Sequence, residues 1–426
     1  MKIPLCWSLS AGLMISALAG CNSSPDSTGS NQANSENSSG STGGTLKLLS
    51  MDYDQESSKL QKKIVDDFNA QSTEGKVEIE IIHWNDGHQK LQTLISGGQA
   101  PDLAIVGVRW MAEYAKADLL EDISQAAPAI KLAEFVPGVL ATGKIGEAQV
   151  GLPVAASVRG LYYNEAMLKK AGVTPPKTWA DLEKIAPKIQ AANPGVKAFG
   201  VQGKEVETDL YFYYFLWGAG GEILKDGKAA IASPQGTEAL NYELNLVKKG
   251  YTQKQPTGYN REDLQKLFKA QKIAMLITGP WFSGMLKKEM PALKFGVTFI
   301  PGKTGPVVPT VADEIVMFKS AQNKALASKF LAFWFKDENR VAWAKASGMI
   351  PEKSTVARNP ELIKDPHRAF FINALPKGRY VPTHPQWEQM ANAVSDSVQG
   401  ALLGNHDAKS ALQEAAQKMD ALASAP

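Results

Sequence analysis

Strand-like and helix-like stretches alternate along most of the chain, and this alternation restricts the fold more than any other feature. Residues 45–51 and 76–82 alternate apolar and polar side chains, as half-buried strands do, and residues 102–106 form a short apolar run typical of a buried parallel strand. Apolar residues at helical spacing lie between these strands, over residues 60–68 and 88–96. This β-α-β-α-β order predicts an α/β sheet with helices on both faces.

The same alternation continues towards the C-terminus. Polar residues before the helical stretches are candidate caps, and for the first helix these are Ser57 and Ser58. Further strands are predicted over residues 149–155, 158–163, 198–202, 273–278, 294–300 and 314–318. Further helices are predicted over residues 178–192, 206–217, 235–249, 261–270, 281–289, 323–336, 338–346, 359–373, 386–402 and 407–422. Helices therefore dominate the last quarter of the chain.

The length, charge balance and cysteine content exclude several classes of protein. Lys and Arg total 46 and Asp and Glu total 43, so the chain lacks the basic field expected of a nucleic-acid-binding protein. The two cysteines, Cys6 and Cys21, both lie in the first 21 residues, which excludes a disulfide framework and a site built from several thiolates. A length of 426 residues predicts two or more lobes.

The sequence predicts no metal site and no cofactor. None of the five histidines is paired with another at the i, i+4 spacing that places two ligands on one helix face. Residues 138–145 approach the phosphate-loop pattern, but Ile145 replaces the hydroxyl residue that would bind magnesium. The Gly-x-Ser-x-Gly pattern of a serine nucleophile is also missing from the sequence.

The first 20 residues have the features of an export signal. Lys2 precedes an apolar stretch that ends in small residues, which is typical of a secretory signal and not of a membrane span. The sequence Leu18-Ala19-Gly20-Cys21 resembles the lipobox of bacterial lipoproteins. This resemblance implies cleavage before Cys21 and attachment of a lipid to its sulfur, which would anchor the protein to a membrane.

Residues 21–44 are predicted to form a flexible tether behind this cysteine. Of the 23 residues from 22 to 44, 19 are Ser, Thr, Asn, Gln or Gly. Such a segment buries too little apolar surface to offset the entropy lost on ordering it. We expect the tether to reach roughly 25 Å and to hold a globular domain close to a membrane surface.

Four segments of the globular part together resemble one protein family. They are residues 97–106 (GGQAPDLAIV), residues 151–164 with 169–182 (GLPVAASVRGLYYN and KKAGVTPPKTWADL), residues 274–281 (AMLITGPW), and residues 347–351 with 381–387 (SGMIP and VPTHPQW). In this order and spacing they resemble the extracellular solute-binding proteins of ABC importers, in particular the sugar-binding group that includes maltose-binding protein.

The resemblance implies two discontinuous α/β lobes joined by a hinge, in the type II architecture of periplasmic binding proteins. The ligand would lie between the lobes, which close over it. The chain is expected to cross between the lobes near residues 153–158, 303–312 and 351–356. Lobe one would comprise residues 45–153 and 312–351, and lobe two would comprise residues 154–311 and 352–426.

Three tryptophans are candidates to cover the apolar face of a sugar ring. Trp281 follows a Gly-Pro pair directly after a strand, where the resemblance implies a stacking tryptophan. Trp110 lies just past strand 102–106, at the strand end where ligand clefts form in open α/β sheets. Trp387 resembles a ligand-side aromatic residue of the family's C-terminal part.

Other aromatic residues are expected mainly in the core. Tyr211 belongs to the aromatic run 210–217, which is typical of a buried helix from which one or two tyrosines reach the cleft. Trp334 and Trp343 lie inside predicted helices, where a packing role is expected.

Polar candidates for hydrogen bonds to sugar hydroxyls lie at strand ends and at the predicted crossings. In chain order they are Tyr53, Asp54, Arg109, Ser157, Arg159, Asp313 and Glu314. The first three follow strand ends, the next two lie at the first crossing, and the two carboxylates lie at the second crossing. Carboxylates at a crossing would either bind hydroxyls or form a salt bridge in the hinge.

The resemblance implies a monomeric binding protein and not an enzyme. It would capture a carbohydrate of one to three rings, of the maltose, trehalose, sucrose or glucosylglycerol type, and deliver it to the transmembrane subunits of an ABC permease. Arg109 and Arg159 also leave a phosphorylated polyol open as ligand. Two further hypotheses are a secreted glycoside hydrolase, which needs two carboxylates about 5–10 Å apart, and a sugar-sensing lipoprotein that is not coupled to transport.

Overall fold

The computed structural model describes residues 44–204 and 207–424. The predicted signal peptide, the predicted lipidation site Cys21 and the predicted tether up to residue 43 lie outside the described residues. Among the described residues, no helix is long and apolar enough to cross a membrane.

The described part of the chain contains fourteen strands. In chain order they are β1 (Gly44–Met51), β2 (Gly75–Ile82), β3 (Leu103–Gly107), β4 (Lys144–Ile145), β5 (Ala148–Gln149), β6 (Gly151–Val158), β7 (Gly160–Asn164), β8 (Leu224–Lys225), β9 (Lys228–Ala229), β10 (Met275–Thr278), β11 (Phe295–Thr298), β12 (Ile300–Pro301), β13 (Pro306–Val307) and β14 (Thr310–Met317).

Eighteen α-helices connect and cover these strands in the described residues. They are α1 (Gln55–Gln71), α2 (Trp84–Ser96), α3 (Val108–Lys116), α4 (Ile123–Ala126), α5 (Pro137–Leu140), α6 (Glu165–Lys170), α7 (Trp179–Ala192), α8 (Thr208–Gly218), α9 (Pro234–Lys248), α10 (Arg261–Lys269), α11 (Trp281–Glu289), α12 (Lys324–Trp334), α13 (Asp337–Ser347), α14 (Ser354–Ala357), α15 (Pro360–Ile363), α16 (Pro366–Ala374), α17 (Trp387–Leu402) and α18 (Ala408–Ala423). Short 3-10 helices lie at Leu132–Glu134, Ala141–Gly143, Pro256–Gly258 and Leu375–Lys377.

One predicted strand, over residues 198–202, is wrong. The chain there makes an isolated bridge between Lys197 and Ile273, and it does not form a ladder. The side chain of Gln253 takes the place of a neighbouring strand, because its amide oxygen accepts from the backbone N–H of Val201 at 3.1 Å and its amide nitrogen donates to the Val201 carbonyl. A side chain that satisfies the backbone in this way removes the need for a partner strand.

Several other predicted elements have different ends in the structure, and three of them are instructive. The predicted helix over residues 359–373 is divided into α15 and α16, and Asp365 caps the second of them ahead of Pro366. The predicted strand over residues 294–300 is divided into β11 and β12. Helix α1 is capped by Asp54 and not by a serine, since the Asp54 carboxylate accepts from the backbone N–H of Ser57 at 2.7 Å.

The larger sheet has the strand order β2-β1-β3-β14-β6. The first three strands are parallel, as the sequence pattern predicts, and β14 pairs antiparallel with both β3 and β6. Apolar residues of these strands and of helices α1, α3 and α12 form one hydrophobic core, from Leu46 to Val154 and from Ile315 to Phe335. This core belongs to lobe one.

A smaller antiparallel sheet, in the order β10-β7-β11, lies in a second core. That core contains apolar residues of helices α7 to α11 and of the C-terminal helices α16 to α18. The aromatic run 210–217 is buried in it, within helix α8, which confirms the predicted core position of the run. The protein is therefore a two-lobe α/β structure in which both lobes are assembled from separate stretches of chain.

Three segments link the two cores. Strand β6 continues through Arg159 directly into β7 of the second sheet, and β14 runs beside β6 in the opposite direction, from Thr310 opposite Val158 to Val316 opposite Gly151. The third link is near Ile350, which forms a bridge with Ala156. The predicted lobe boundaries at 153/154 and 311/312 lie within the two paired strands.

A buried ion pair attaches the third link to the first. The Arg340 guanidinium donates to both carboxylate oxygens of Glu352, at 2.5 and 3.1 Å, and also to the carbonyl of Val154 on β6. Arg340 and Glu352 are 0% and 1% exposed. Removing one member of such a pair leaves an uncompensated buried charge, so the pair fixes the geometry of the link.

Helix α9 contains a buried carboxyl group with no hydrogen-bond partner. Glu243 is 0% exposed, and within residues 44–204 and 207–424 neither of its carboxylate oxygens has a hydrogen-bond partner. Burial raises the pKa of Glu243 to about 8. The folded protein therefore retains a proton on Glu243 that the unfolded chain releases once the pH exceeds about 4.3.

This proton gives a prediction about stability. As the pH rises from about 4.3 towards 8, Glu243 should lower the free energy of unfolding, because the folded state binds the proton and the unfolded state does not. Glu243→Gln is neutral at every pH, so its stability advantage over wild type should grow by roughly 2 kcal/mol or more between pH 5 and pH 8. Urea unfolding at both pH values measures this difference. The exposed Glu338→Gln is the control, and equal pH slopes for Glu243→Gln and wild type would contradict the prediction.

Candidate functional site

Two arginines of lobe two share one carboxylate. Arg159 lies between β6 and β7, Arg261 is the first residue of α10, and Glu207 immediately precedes α8. Glu207 accepts from Arg159 Nη2 at 2.5 Å through Oε1 and from Arg261 Nη1 at 2.8 Å through Oε2. The backbone of Glu207 has φ 72°, a strained conformation for a residue other than glycine, which is typical of positions that hold a functional side chain in place. Ser157 accepts a hydrogen bond from Arg159 at 2.9 Å.

Trp281 lies against this cluster, which consists of Arg159, Glu207 and Arg261. The guanidinium carbons of Arg159 and Arg261 lie 4.9 and 5.0 Å from the centroid of the Trp281 ring, within the range of cation–π attraction. The ring covers Gly279, where an added Cβ would lie 1.8 Å from a ring carbon, so the position requires glycine. The Gly-Pro pair after β10 thus lets Trp281 fold back over its own strand end, and the side chain stays half-exposed.

Lobe one contributes a tyrosine, an aspartate and a tryptophan to the opposite side. The Tyr53 hydroxyl donates to Asp313 at 2.9 Å, which joins the end of β1 to the crossing strand β14. The Tyr53 ring packs edge-to-face against Trp84, with 5.5 Å between the ring centroids. Tyr53 and Trp84 are both half-buried, so lobe one presents two partly accessible aromatic rings beside a carboxyl group.

The charges of the arginine cluster affect the titration of Asp313. Burial raises the pKa of Asp313 to about 7, even though its hydrogen bond to Tyr53 and the nearby Arg159 favour the ionised form. Burial alone would also raise the pKa of Glu207, but Arg159 and Arg261 outweigh it and hold that pKa at about 2. Glu207 is therefore firmly ionised at neutral pH, whereas Asp313 is balanced between its two protonation states.

Arg109 occupies a different position, where helices of the two lobes meet. It is the second residue of helix α3, just after β3, and it donates from Nε to Glu388 at 2.9 Å. Its Nη2 atom lies 3.4 Å from Asp209. Glu388 and Asp209 lie in the first turns of α17 and α8, both of which belong to the core of lobe two. The structure thus places Arg109 in an ion-pair network between the lobes.

Several other candidate residues from the sequence are packed inside a lobe. Trp110 is 8% exposed and contacts Trp84 and His88, with centroid separations of 5.6 and 5.1 Å. Trp387 is fully buried against Tyr213, at 6.1 Å. The Tyr211 hydroxyl donates to the carbonyl of Ile277 at 2.7 Å. Trp110 and Trp387 thus pack within the lobe cores, whereas Tyr211 lies near the Glu207 carboxylate, which adds to the effect of burial in raising the pKa of the Tyr211 hydroxyl.

The remaining two carboxylates have local partners. Asp54 caps helix α1, as described above, and is half-exposed beside Tyr53. Glu314 is 0% exposed and accepts from the Thr142 hydroxyl at 2.6 Å, and its burial raises its pKa to about 8. A bulge in the pairing of β14 with β6 falls between Asp313 and Glu314. The two neighbouring carboxyls consequently bond to different parts of lobe one.

Sequence reasoning missed five residues of this region, and one of them had a recognisable signal. Trp84 follows the strand predicted over residues 76–82, so the same strand-end rule that selected Tyr53 and Arg109 also selects Trp84. The missed charged residues are Glu207, Asp209, Arg261 and Glu388. They lie before or within the first turns of helices, where acidic and polar residues are common, so no local pattern distinguishes them from ordinary helix starts.

Comparisons with known proteins agree with the architecture. Residues 53–341 match the family of bacterial extracellular solute-binding proteins. A protein of Brucella abortus (strain 2308), named only as a binding protein, is 34% identical over 383 residues, which are 89% of this chain and 93% of that protein. This chain belongs to the bacterial extracellular solute-binding protein family. Members of this family act outside the cytoplasm, so the protein is exported.

Two further relatives indicate the type of ligand that the family binds. The maltotriose-binding protein of Pyrococcus abyssi is 27% identical over 338 residues, covering 76% of this chain and 70% of that one. The structure of an ABC transporter solute-binding protein from Thermotoga lettingae, bound with α-D-tagatose, superposes with a TM-score of 0.81 at 27% identity. It covers 89% of this chain and 99% of that structure. One of these relatives is named as a sugar-binding protein and the other was solved with a bound sugar, and each is similar to most of this chain.

The shared carboxylate of Glu207 gives a prediction about stability. Its pKa of about 2 means that its stabilising effect is complete above about pH 4.5 and is lost as the pH falls towards 2. Glu207→Gln should lower the free energy of unfolding by about 3 kcal/mol at pH 7, and the loss relative to wild type should diminish in acid.

Glu262→Gln is the matched control for this variant. Glu262 also pairs with Arg261, at 2.7 Å, but its side chain is 52% exposed. An exposed pair contributes less than about 1 kcal/mol, so this variant should be close to wild type. Equal losses in the two variants, measured by denaturant unfolding at pH 7 and pH 3, would show that Glu207 does not organise the cluster.

Proposed function

We propose that the protein is the substrate-binding lipoprotein of an ABC importer and captures a neutral sugar or glycoside of one to three rings between its lobes. The observation that carries this proposal is that each lobe has partly accessible aromatic rings beside charged groups: Tyr53 and Trp84 near Asp313 on lobe one, and Trp281 near Arg159 and Arg261 on lobe two. The protein is proposed to bind its ligand unchanged and to have no catalytic role.

The chemistry of a pyranose fits this arrangement. Its C–H faces are apolar and pack on aromatic rings, while its hydroxyl rim needs hydrogen-bond partners. Hydrogen bonds to ionised groups are the stronger ones, at about 1.5–3 kcal/mol each. Arg159, Arg261 and Asp313 lie beside the aromatic rings and offer both donors and acceptors to such a rim.

The balance of charge favours a ligand without a formal charge. Each of the three arginines in the region is already paired: Arg109 with Asp209 and Glu388, and Arg159 and Arg261 with Glu207. A phosphorylated polyol would have to displace a carboxylate from one of these arginines and leave it buried without its partner, which is costly. Hydroxyl groups can add to the existing pairs without displacing them, because a carboxylate oxygen accepts more than one hydrogen bond.

The relatives support a carbohydrate ligand. The Pyrococcus abyssi relative is named as a maltotriose-binding protein, and the Thermotoga lettingae structure contains tagatose. Relatives at this level of identity therefore bind neutral saccharides of different sizes. Delivery to an ABC permease follows from the role of such proteins, and we propose that the lobes act as a monomeric clamp that presents its closed form to the permease.

A ligand screen tests the proposal directly. Saturating ligand raises the free energy of unfolding by RT ln(1 + [L]/Kd), about 2.7 kcal/mol at a hundredfold excess over Kd. A thermal-shift screen should therefore show stabilisation by a neutral mono-, di- or trisaccharide, and none by glycerol phosphate. Stabilisation by the phosphate alone would overturn the neutral-ligand proposal, and turnover of a chromogenic glycoside would show an enzyme.

Trp281 and Trp334 should respond to truncation in opposite ways. Trp281→Ala removes a half-exposed ring between the lobes and should raise Kd by roughly thirtyfold, with little loss of stability. Trp334→Ala removes a fully buried ring of lobe one and should cost about 3–5 kcal/mol of stability through the cavity it leaves, with a small effect on Kd. Calorimetric titration beside thermal unfolding separates the two effects. Wild-type affinity in Trp281→Ala would exclude the stacking role and direct attention to Tyr53 and Trp84.

We also propose that Cys21 carries a lipid anchor. The proposal rests on the sequence Leu18-Ala19-Gly20-Cys21 and on the polar segment that follows it. Cys21→Ser should prevent lipidation and release the exported protein into the soluble fraction. Membrane fractionation in high salt distinguishes the two forms, and a Cys21→Ser variant that still sediments with membranes would disprove the anchor.

A further inference from the structure

Arg109, Asp209 and Glu388 form an ion-pair network that crosses from one lobe to the other. Arg109 lies between Val108 and Trp110, which are members of the lobe-one core. Asp209 and Glu388 adjoin Leu210 and Trp387, which are members of the lobe-two core. The contacts are 2.9 and 3.5 Å to the two oxygens of Glu388 and 3.4 Å to Asp209.

The network is shielded from solvent. The side chains of Asp209, Arg109 and Glu388 are 2%, 13% and 18% exposed, so the attraction between them is weakened by water less than that of a surface ion pair. A surface pair between the lobes provides a contrast: Lys288 and Glu56 are 3.6 Å apart with side chains that are 74% and 51% exposed. The Arg109 network is therefore the stronger of these two ionic links.

Arg109 offsets the repulsion between the carboxylates of Asp209 and Glu388. Asp209 and Glu388 lie in the first turns of α8 and α17, which pack against each other, so they are like charges held close together. Burial raises the pKa of Asp209 to about 6, Arg109 acts against this shift, and Glu388 adds to it. In the described arrangement Arg109 contacts both carboxylates, so moving lobe one away from lobe two would leave this pair without its cation.

We infer that Arg109, Asp209 and Glu388 form an interlobe latch that stabilises the closed arrangement of the lobes and slows release of the ligand. This inference rests on the proposed function, because it concerns the same capture between the lobes. Arg109 is then a positioning residue, and it acts on the ligand through the closed arrangement. The latch should increase the affinity for every ligand by the same factor and should not select among sugars.

A double-mutant cycle tests the latch. The proteins are wild type, Arg109→Met, Glu388→Gln and the double variant of the full chain, and the probes are two neutral sugars of different ring number taken from the ligand screen. Arg109→Met should raise Kd by about 10- to 100-fold for both sugars, mainly through a faster dissociation rate, as is typical when one partner of a shielded charge pair is removed. The double variant should be no weaker than Arg109→Met alone, since both changes break one network.

Matched controls separate the latch from a general effect of charge. Arg358→Met removes an exposed arginine and Glu338→Gln removes an exposed carboxylate from the first turn of another helix, α13. Both should leave Kd unchanged. Arg109→Lys keeps the charge, but an ammonium group cannot form the bidentate hydrogen bonds of a guanidinium with both oxygens of Glu388. The Kd of this variant should therefore lie between those of wild type and Arg109→Met.

The outcomes separate failure of the latch from failure of the proposed function. Additive losses, or a loss that differs between the two sugars, would overturn the latch and indicate direct ligand contact by Arg109. If Arg109→Met does not fold, Arg109→Lys provides the test. A ligand dissociation rate of Arg109→Lys equal to that of wild type would then overturn the latch. If wild type binds none of the sugars, the proposed function is wrong. The double-mutant cycle is then measured on the free energies of urea unfolding of the four ligand-free proteins. Zero coupling in unfolding would overturn the latch, and a coupling would support the interlobe contact between Arg109 and Glu388 on which the latch depends.

Discussion

The antiparallel pairing of β14 with both β3 and β6 is the interaction on which the rest of the structure depends. It completes the sheet of lobe one, and it runs beside β6 up to Val158, one residue before the chain turns into the second sheet. The same strand carries Asp313, which binds Tyr53, and Glu314, which binds Thr142. The pairing of β14 with β3 and β6 thus contributes to the hinge, to the lobe-one core and to the candidate site. A change in the register of this pairing would alter all three.

The candidate site combines fixed charges with accessible aromatic rings. Glu207 is held ionised between Arg159 and Arg261, so both arginines are oriented by contacts within the protein itself. Groups that are already oriented lose little freedom on binding, and this preorganisation favours affinity. Both guanidinium groups also contact the Trp281 ring. The proposed stacking surface of lobe two is therefore in direct contact with its charged residues.

Much of the fold was predictable from periodicity, whereas the composition of the site was only partly so. The parallel strands β1, β2 and β3 and most helices follow from apolar spacing, because burial on one face imposes a period of two or 3.6. The strand-end rule selected Tyr53, and it also fits Trp84. It could not foresee that Arg109 pairs with Asp209 and Glu388, which are about 100 and 280 residues away along the chain, because such pairing depends on how the lobes meet and not on local sequence.

The discontinuous lobes have a consequence for the order in which the protein folds. Strand β3 has its neighbour β14 roughly two hundred residues later, so the lobe-one sheet keeps an unpaired edge until almost three quarters of the chain is present. An unpaired strand edge invites pairing with other chains. A nascent chain must therefore remain protected from aggregation for most of its synthesis and passage across the membrane, and a fragment that stops before residue 310 retains this open edge instead of forming a complete lobe.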